Sequence, residues 1–281
     1  MVMVNGRISD RSFGRYQRLR GFFAPVLARF SALCMQSSED ARRIVAIGAD
    51  PARVFVAGNL KYDISVQVPT PDERSAIRAS YGLPPDSLVI TAASTHPGED
   101  APVIAAYRSL LESGMPVMLV LVPRHPERAD EVAGLLERAN LPFVRRSRLG
   151  TNPSVCATGS VLLVDTIGEL MRLYAASDLV FVGGSLVPVG GHNLLEPASL
   201  GVPVVFGPHM TNFREISSLI LDNGAGGQIA DESALGGTML ELLRDADRRL
   251  AMGERGRRVV AGNAGATERH MEIMARLLGE E

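Results

Sequence analysis

The stretch that decides the fold begins with LVFV at Leu179–Val182 and continues as GGSLVPVGGHNLLEPASLGVPVVFGP at Gly183–Pro208. The first four residues carry no polar side chain, as expected for a strand of a parallel sheet that is buried on both faces. A helix is predicted at Leu194–Leu200 and a second strand at Val204–Phe206. A strand, a helix and a second strand in this order are typical of an α/β protein.

The segment between these two strands holds more than a tight turn needs. It contains two glycine pairs and then His192, Asn193 and Glu196. Glycines let backbone amides approach a ligand closely, and a carboxylate suits the vicinal hydroxyls of a sugar. The pattern favours a site for a small polar ligand, although a glycine pair alone indicates only a turn.

The same alternation extends over the rest of the chain. Further strands are predicted at Val2–Asn5, Val54–Ala57, Leu88–Ala93, Val117–Val122, Phe143–Val144 and Val161–Val164. Further helices are predicted at Asp72–Tyr81, Glu99–Ser113, Glu127–Ala139, Gly168–Ala176, Asn212–Asp222, Glu232–Asp245 and Glu268–Gly279, with one more capped by Ser37. Thr151–Ser160 is predicted to be a surface loop. The whole predicts a doubly wound parallel sheet.

A domain boundary is predicted near Asp63–Pro71, where the chain is nonperiodic and contains proline. Residues 64–281 suffice for one complete doubly wound domain. Residues 1–63 are too few for a βαβ domain of their own. Because a strand-like run follows Met1 at once, we expect residues 1–63 to be the remnant of a longer N-terminal domain.

The composition argues against several classes of protein. The formal net charge is −2, from 29 basic and 31 acidic residues, which disfavours binding of nucleic acid through bulk charge. The two cysteines, Cys34 and Cys156, lack a metal-binding spacing. No apolar run reaches the ~18 residues of a membrane span. We therefore expect a chain that alone is soluble, with no nucleic-acid partner and no metal.

Polar residues follow five of the predicted strands at their carboxyl ends. These runs are Ser94–Glu99, Pro123–Arg128, Asp165–Leu170, Gly183–Ser185 and Gly207–His209. The carboxyl ends of parallel strands share one edge of a sheet, where open α/β folds bind ligands. Arginine and backbone amides suit phosphate, whereas Glu169 or Glu196 suits ribose hydroxyls. Together the runs predict a site for a nucleotide or a nucleotide-sugar.

Other charged residues have a simpler interpretation. Glu127 and Arg128 are expected on a solvated helix face. Asp245 and Asp247 resemble a metal-binding pair, but neighbouring arginines favour a solvated helix. Arg145, Arg146 and Arg148 form a basic patch that fits either a solvated surface or a contact with membrane headgroups, and a solvated surface is favoured.

The chain resembles glycosyltransferases of the GT-B architecture and, more narrowly, the family of 3-deoxy-D-manno-octulosonic acid (Kdo) transferases of lipopolysaccharide biosynthesis. The matching stretches run in the family's order: NGRISDRS (Asn5–Ser12), QSSEDARR (Gln36–Arg43), AGNLKYD (Ala57–Asp63), STHPGED (Ser94–Asp100), VPRHPER (Val122–Arg128), DTIGELMRLYAASDLVFVGGS (Asp165–Ser185) and GGHNLLEPASLGVPVVFGPHMTNF (Gly190–Phe213). GNLKYD and GGHNLLEPA are specific to this family. The element E-P-A-x-x-G-x-P-V alone also fits a UDP-sugar transferase or a UDP-GlcNAc 2-epimerase.

The resemblance implies a GT-B fold with one complete Rossmann-like domain at residues 64–281 and the remnant of an N-terminal, acceptor-binding Rossmann-like domain at residues 1–63. It implies CMP-Kdo as the donor and the tetraacylated lipid A precursor (lipid IVA) as the acceptor. The reaction would invert the sugar's configuration and use no metal or cofactor. The full-length enzyme would work at the cytoplasmic face of the bacterial inner membrane.

The resemblance also assigns residues to the donor site. Pro123 and Arg124 would contact the CMP phosphate. The cytidine site would be lined by Gly168, Glu169 and Leu170. The nucleotide would be held by Asn193, Leu194, Leu195 and Glu196. Weaker candidates are Lys61, Ser94, Thr95, His96, His125, Gly184 and Ser185.

The sequence departs from the family pattern at its N-terminus. The family carries its general base, a glutamate, in a glycine-flanked motif that lies before the point where NGRISDRS begins, together with a membrane-associated segment. We therefore expect the base and the membrane contact upstream of Met1, and we assign no catalytic residue to this sequence. The alternative is a non-catalytic nucleotide-binding module.

Overall fold

The structure, a computed structural model, describes residues 1–150 and 153–279. The chain divides into two units: Met1–Ser65 together with the residues from Val260 onward, and Val66–Val259. All residues after Asp63 are predicted to lie in one domain, whereas the C-terminal segment belongs with the first unit. The functional roles predicted for the two domains stay predictions.

The first unit contains a three-stranded parallel sheet of order β1-β2-β3. The strands are β1 (Val2–Gly6), β2 (Ala32–Met35) and β3 (Val54–Val56), and the connecting helices are α1 (Asp10–Arg18), α2 (Arg20–Leu27) and α3 (Ser38–Ile47). The Ser37 hydroxyl accepts a hydrogen bond from the Asp40 amide, which confirms the predicted cap of α3. The helix α1, which buries no residue, is not predicted from the sequence, and neither are α2 and the short strand β2.

The second unit is built on a seven-stranded parallel sheet of order β10-β9-β8-β4-β5-β7-β6. Its strands are β4 (Leu88–Thr95), β5 (Val117–Pro123), β6 (Phe143–Arg145), β7 (Val161–Leu163), β8 (Leu179–Val182), β9 (Val204–Phe206) and β10 (Gly226–Gln228). Its helices are α4 (Pro71–Ser80), α5 (Asp100–Glu112), α6 (Ala129–Arg138), α7 (Leu170–Ala176), α8 (Leu195–Ser199), α9 (Arg214–Asp222) and α10 (Leu235–Arg244). The predicted α/β class and parallel sheet are confirmed.

Helices cover both faces of this sheet, as the apolar strands predict. In the fully buried strand β5, Leu119 and Leu121 pack in a cluster with residues of α5, α6 and α10. Met118 and Val120 belong to a second cluster, with Tyr81 and residues of α7. Successive strand residues point to opposite faces, so each face of the sheet has its own core.

The amino edge of the sheet is held by a paired carboxylate. Asp178, just before β8, accepts hydrogen bonds from Arg74 (2.8 Å) and Arg78 (2.6 Å), both on α4. The oxygen that bonds to Arg78 also accepts a hydrogen bond from the Val89 backbone amide at the start of β4 (2.7 Å). The carboxylate therefore fixes α4 against two neighbouring strands.

The strand β10 is not predicted from the sequence, and of α11 (Ala246–Asn263) only a helical stretch around Asp247 is predicted. The strand β10 reads Gly-Gly-Gln and has no apolar side chain; its parallel pairing with β9 depends on backbone groups. Of the loop predicted at Thr151–Ser160, Thr151 and Asn152 lie outside the described residues, and residues 153–160 contain no helix or strand. No helix in the described part of the chain is long and apolar enough to cross a membrane.

Asp63 explains why the C-terminal helix α12 (Ala266–Leu278) belongs with the first unit. Its carboxylate accepts hydrogen bonds from the amides of Gly265 (2.7 Å), Ala266 (3.1 Å) and Thr267 at the start of the helix. Burial opposes ionisation, but these bonds outweigh it and lower the pKa of Asp63. A carboxylate in this position stabilises a helix N-terminus.

Candidate functional site

The five polar runs predicted at strand ends do lie on one edge of the sheet. They follow β4, β5, β7, β8 and β9, which run parallel and pair with one another in the order β9-β8-β4-β5-β7. The central strands β8, β4 and β5 bring the loops that carry His192, His96 and Arg124 next to each other. The predicted shared edge is confirmed, and we call it the carboxyl edge.

The end of β4 is irregular. The pairing of β4 with β5 shifts between Ala93 and Thr95, and Ser94 has a left-handed backbone with φ of 57°. A non-glycine residue in this region is held there by its surroundings and is often found at functional sites. The Thr95 hydroxyl is buried and donates to Asp100 (2.6 Å), so this predicted candidate is used by the fold.

Glu99 is the most completely buried charged residue of the carboxyl edge, with 0% exposure. One carboxylate oxygen accepts from the amides of Gly184 (2.6 Å) and His96 (2.9 Å). The other accepts from the amides of Ser185 (3.0 Å) and Leu186 (2.8 Å). Four backbone bonds to one carboxylate join the loop after β4 to the loop after β8. From the sequence, Glu99 is predicted to end the polar run after β4 and to begin a helix, and its role as an acceptor for four amides is not predicted.

The glycine pair after β8 is required by close packing. A Cβ on Gly183 would lie 2.6 Å from the Ser94 carbonyl oxygen and 2.8 Å from Thr95 Cα. Gly184 has φ of 65°, and its Cβ would lie 3.0 Å from the His192 ring. The pair therefore lets the loop after β8 pass directly against the end of β4 and the histidines.

Arg128 is not on a solvated face, so that prediction is wrong. Its guanidinium pairs with Asp100 at 2.6 Å, and the two side chains are 11% and 1% exposed. It also donates to the Thr95 carbonyl oxygen (3.2 Å). Because Asp100 begins α5, the pair ties that helix to the segment that follows β5.

Three histidines cluster at the centre of the carboxyl edge. The Nε2 atoms of His96 and His192 are 2.8 Å apart, and their rings are stacked at 11° with centroids 5.1 Å apart. The His125 ring is perpendicular to that of His96, with centroids 6.0 Å apart. Two of these residues are weaker sequence candidates, and His192 joins them through the fold.

The two stacked histidines are hard to protonate. Burial, with repulsion from His96, Arg124 and His125, lowers the pKa of His192 to about 4. Burial also lowers the pKa of His96, where the Glu99 charge acts in the opposite direction. At neutral pH both rings are therefore uncharged, and one donates the hydrogen bond that the other accepts.

Arg124 lies beside this cluster and is exposed. Its amide donates to the Thr95 carbonyl oxygen (2.9 Å), which fixes the backbone next to β4. Within the described residues its guanidinium has no hydrogen-bond or ion-pair partner. An unpaired guanidinium at a strand-end loop suits an anionic ligand.

Glu169 lies in a second cluster, at the end of β7. It accepts hydrogen bonds from Tyr81 (3.0 Å), Arg146 (2.9 Å) and Thr166 (2.5 Å). Burial would raise the pKa of Glu169, but these bonds outweigh it and the pKa is lowered. Arg146 also covers the Tyr81 ring at 5.1 Å. Arg146, predicted to belong to a basic surface patch, is therefore paired with a carboxylate and packed on an aromatic ring.

Asn193 and Glu196 hold each other at the start of α8. The side-chain amide nitrogen of Asn193 donates a hydrogen bond to the Glu196 carboxylate (3.1 Å). The side-chain oxygen of Asn193 accepts one from the backbone amide of Leu195 (3.1 Å). The side chains of Leu194 and Leu195 are fully buried. Any contact of these two leucines with a nucleotide would therefore go through backbone groups.

The other sequence candidates differ in how open their surroundings are to a ligand. The Ser185 hydroxyl is buried, donating to the Val182 carbonyl (2.6 Å) and accepting from the Gly207 amide (2.8 Å). Pro123 ends the buried strand β5, and Leu170 packs against the core on one side of the sheet. Gly168 has φ of 88° and open space around it. Lys61 belongs to the first unit.

The fold defines the class of protein. Anabaena Alr3699/HepE, solved in complex with UDP and glucose, aligns with a TM-score of 0.54 at 16% identity over 98% of this chain and 70% of that protein. At this identity the likeness concerns the fold alone. The fold is that of the GT-B glycosyltransferases, as the sequence analysis predicts.

Closer relatives define the family. A family model described as 3-Deoxy-D-manno-octulosonic-acid transferase (kdotransferase) matches residues 1–64. The 3-deoxy-D-manno-octulosonic acid transferase of Haemophilus influenzae is 34% identical over 274 residues, 97% of this chain and 63% of the relative. The C-terminal CMP-Kdo binding domain of WaaA from Acinetobacter baumannii aligns with a TM-score of 0.61 at 34% identity, covering 67% of this chain and 96% of that domain. The chain belongs to the Kdo transferase family, and it spans less than two thirds of the length of the Haemophilus enzyme.

Proposed function

We propose that the carboxyl edge of the seven-stranded sheet binds CMP-Kdo and that the chain forms the donor-binding part of a Kdo transferase. The observation that carries the proposal is the likeness to the CMP-Kdo binding domain from Acinetobacter, at 34% identity over 96% of that domain. The carboxyl edge is also where open α/β folds bind nucleotides.

The unpaired Arg124 guanidinium receives the phosphate of CMP. Asn193 and Glu196, which already hold each other at 3.1 Å, bind the ribose hydroxyls. Gly168 and Glu169 line the cytidine end of the site. Glu169 is bonded to Tyr81 and Arg146, so the nucleotide would meet a pre-organised group of side chains.

The proposed reaction is a single displacement with inversion. The oxygen of an acceptor hydroxyl forms a bond to the anomeric carbon of Kdo, and the bond from that carbon to the phosphate oxygen breaks. CMP leaves with the electron pair, and a general base takes the hydroxyl proton. Arg124 stabilises the charge that develops on CMP, a role of about 3 kcal/mol or more in comparable sites. The acceptor is the lipid A precursor lipid IVA, at the cytoplasmic face of the inner membrane, and no metal is required.

Calorimetric titration of the 281-residue chain with CMP and with UDP tests donor recognition. CMP should bind more tightly, and Arg124→Ala should weaken CMP binding at least about tenfold because one charge-assisted phosphate contact is lost. Arg138→Ala, which removes an exposed arginine at the end of α6, is the matched control. Tighter binding of UDP would favour a UDP-sugar transferase or a UDP-GlcNAc 2-epimerase instead.

Transfer is tested separately with CMP-Kdo, lipid IVA and the same chain. Mass spectrometry of the lipid detects an acceptor extended by Kdo, which would support the complete reaction. Binding of CMP without an extended acceptor would restrict the proposal to donor binding.

A further inference from the structure

We infer that the imidazoles of His96, His125 and His192 form, with Arg124, a subsite for the carboxylate of the donor's sugar acid. The inference rests on the proposed function and adds a second anionic group to the one assigned above. It concerns recognition of the transferred sugar rather than of the nucleotide.

The chemistry of the donor requires more than one positive partner. In a CMP-linked 2-keto acid sugar, the phosphate and the carboxylate are attached to the same anomeric carbon. Two negative charges therefore enter the site side by side. Arg124 is unpaired within the described residues, but its guanidinium carries a single positive charge, whereas two negative groups enter the site.

The histidine cluster lies where the second charge is needed. His125 is the residue next to Arg124, and the His96–His192 pair approaches it from the neighbouring strand ends, with the His96 ring 6.0 Å from that of His125. A single added proton converts the stacked pair into an imidazolium hydrogen-bonded to an imidazole. The cluster therefore supplies a cation that forms only when an anion is present.

The surrounding charges set this behaviour. His192 is surrounded by His96, Arg124 and His125, and burial together with these groups lowers its pKa to about 4. The charges near His96 include, in addition, Arg128, which disfavours its protonation, and Glu99, which favours it. A bound carboxylate raises both pKa values because it stabilises the charged imidazole.

The direction in which the affinity changes with pH follows from the difference between the histidine pKa values in the free protein and in the complex. The free protein holds the pair uncharged down to the lowered pKa, whereas the complex holds it charged up to a higher pKa. Between these values binding takes up a proton, so the affinity for the carboxylate rises as the pH falls.

A metal ion is the other common partner of clustered histidines. In the described ranges, 1–150 and 153–279, no group of three histidine, cysteine or carboxylate side chains is placed to hold one. The cluster is instead combined with an arginine, whose charge would repel a cation and attract an anion. The geometry therefore favours an anionic partner.

The test compares CMP-Kdo with CMP, which lacks the carboxylate, by calorimetry on the full chain. His192→Ala should weaken CMP-Kdo at least about tenfold, the order of one lost charged contact, and change CMP binding less than about twofold. Equal weakening of both ligands would overturn the inference, since it would place the cluster at the phosphate or in the framework of the loop.

Measuring the affinity for CMP-Kdo at several pH values separates the effect of histidine charge from a purely structural effect of the substitution. The phosphodiester and the carboxylate of CMP-Kdo stay ionised between about pH 6 and 8, so any change in its affinity reports on the protein. The wild-type affinity should rise at least about threefold from pH 8 to pH 6, as linked proton uptake requires. His192→Gln keeps a hydrogen bond to His96 but carries no charge, and it should remove this rise. A flat wild-type profile would overturn the inference.

Failure of the proposed function looks different from failure of this inference. If the wild-type chain binds neither CMP nor CMP-Kdo, the donor site itself is wrongly assigned. If it binds CMP, but its affinity for CMP-Kdo does not rise from pH 8 to pH 6, the donor site stands and the carboxylate subsite does not.

Discussion

Two carboxylates, the buried Glu99 and the partly buried Asp178, lie on opposite edges of the same sheet and are held in different ways. Glu99, on the carboxyl edge, accepts four backbone amide hydrogen bonds and no arginine bond. Asp178, on the amino edge, is paired with Arg74 and Arg78 and accepts one amide bond. Glu99 therefore joins two loops, and Asp178 attaches the helix α4 to the sheet.

This difference between the two carboxylates indicates how the carboxyl edge keeps the Arg124 guanidinium unpaired among the residues that the structure describes. Amide groups satisfy the Glu99 carboxylate without using a guanidinium, while Arg124 nearby stays unpaired within the described residues. On the amino edge two guanidinium groups are used to stabilise the fold. Stability at the amino edge and the proposed attraction of a ligand to the carboxyl edge therefore depend on different arginines, and substitutions should separate them.

The largest effect is expected from Glu99→Ala. It leaves four backbone amides of the two loops without their acceptor, each costing about 1 kcal/mol or more. We expect the free energy of unfolding to fall by about 4 kcal/mol in urea denaturation followed by circular dichroism, with loss of CMP binding. Glu99→Gln keeps one acceptor oxygen and should cost about half as much. A loss below about 1 kcal/mol for the alanine variant would show that water replaces the carboxylate.

Asp178→Asn should affect stability but not binding. It removes the charge that Arg74 and Arg78 share, and the loss should be about 2–3 kcal/mol because the site is only partly buried. Urea denaturation measures this loss. CMP affinity, measured by calorimetry below the unfolding transition, should change less than about twofold. A parallel loss of CMP affinity would contradict the separation of the two edges.

Gly183→Ala tests the close packing of the two loops. Its Cβ would lie 2.6 Å from the Ser94 carbonyl oxygen, so backbone atoms must shift. We expect a loss of about 1–2 kcal/mol in the free energy of unfolding, together with weaker CMP binding. Gly237→Ala, on the exposed side of α10 with open space around it, is the control. That variant should raise stability by up to about 1 kcal/mol.

The smallest effect is expected from the pH dependence of Glu169. Its pKa is lowered in the fold, so its bonds stabilise the protein above the ordinary glutamate pKa of about 4.3 and this contribution is lost as the pH falls through the lowered value. The stability difference between the wild type and Glu169→Gln should therefore be larger at pH 6 than at pH 3. An equal difference at both pH values would mean that the Arg146 pair adds nothing.

The sequence predicts the framework of the site well. Apolar runs mark β4, β5, β7, β8 and β9, and because these strands are parallel, the polar residues after each one meet at a shared edge. The family motifs coincide with those strand ends. The assignment of individual residues to phosphate, cytidine and ribose stays a prediction.

The missed features depend on contacts between distant residues. The amides that bind Glu99 include three at positions 184–186, far from it in sequence. The Arg128–Asp100 and Arg146–Glu169 pairs likewise join separate loops. The strand β10 forms by backbone pairing with β9. Hydrophobic periodicity carries no signal for any of these.

The four amide hydrogen bonds to Glu99 have a consequence for the rate of amide hydrogen exchange. The amides of His96, Gly184, Ser185 and Leu186 share one acceptor group, so none can open to solvent without disturbing the others. Their deuterium uptake should be slow and should proceed at a common rate. The loops after β4 and β8 would then already be held together as one rigid unit before the donor binds.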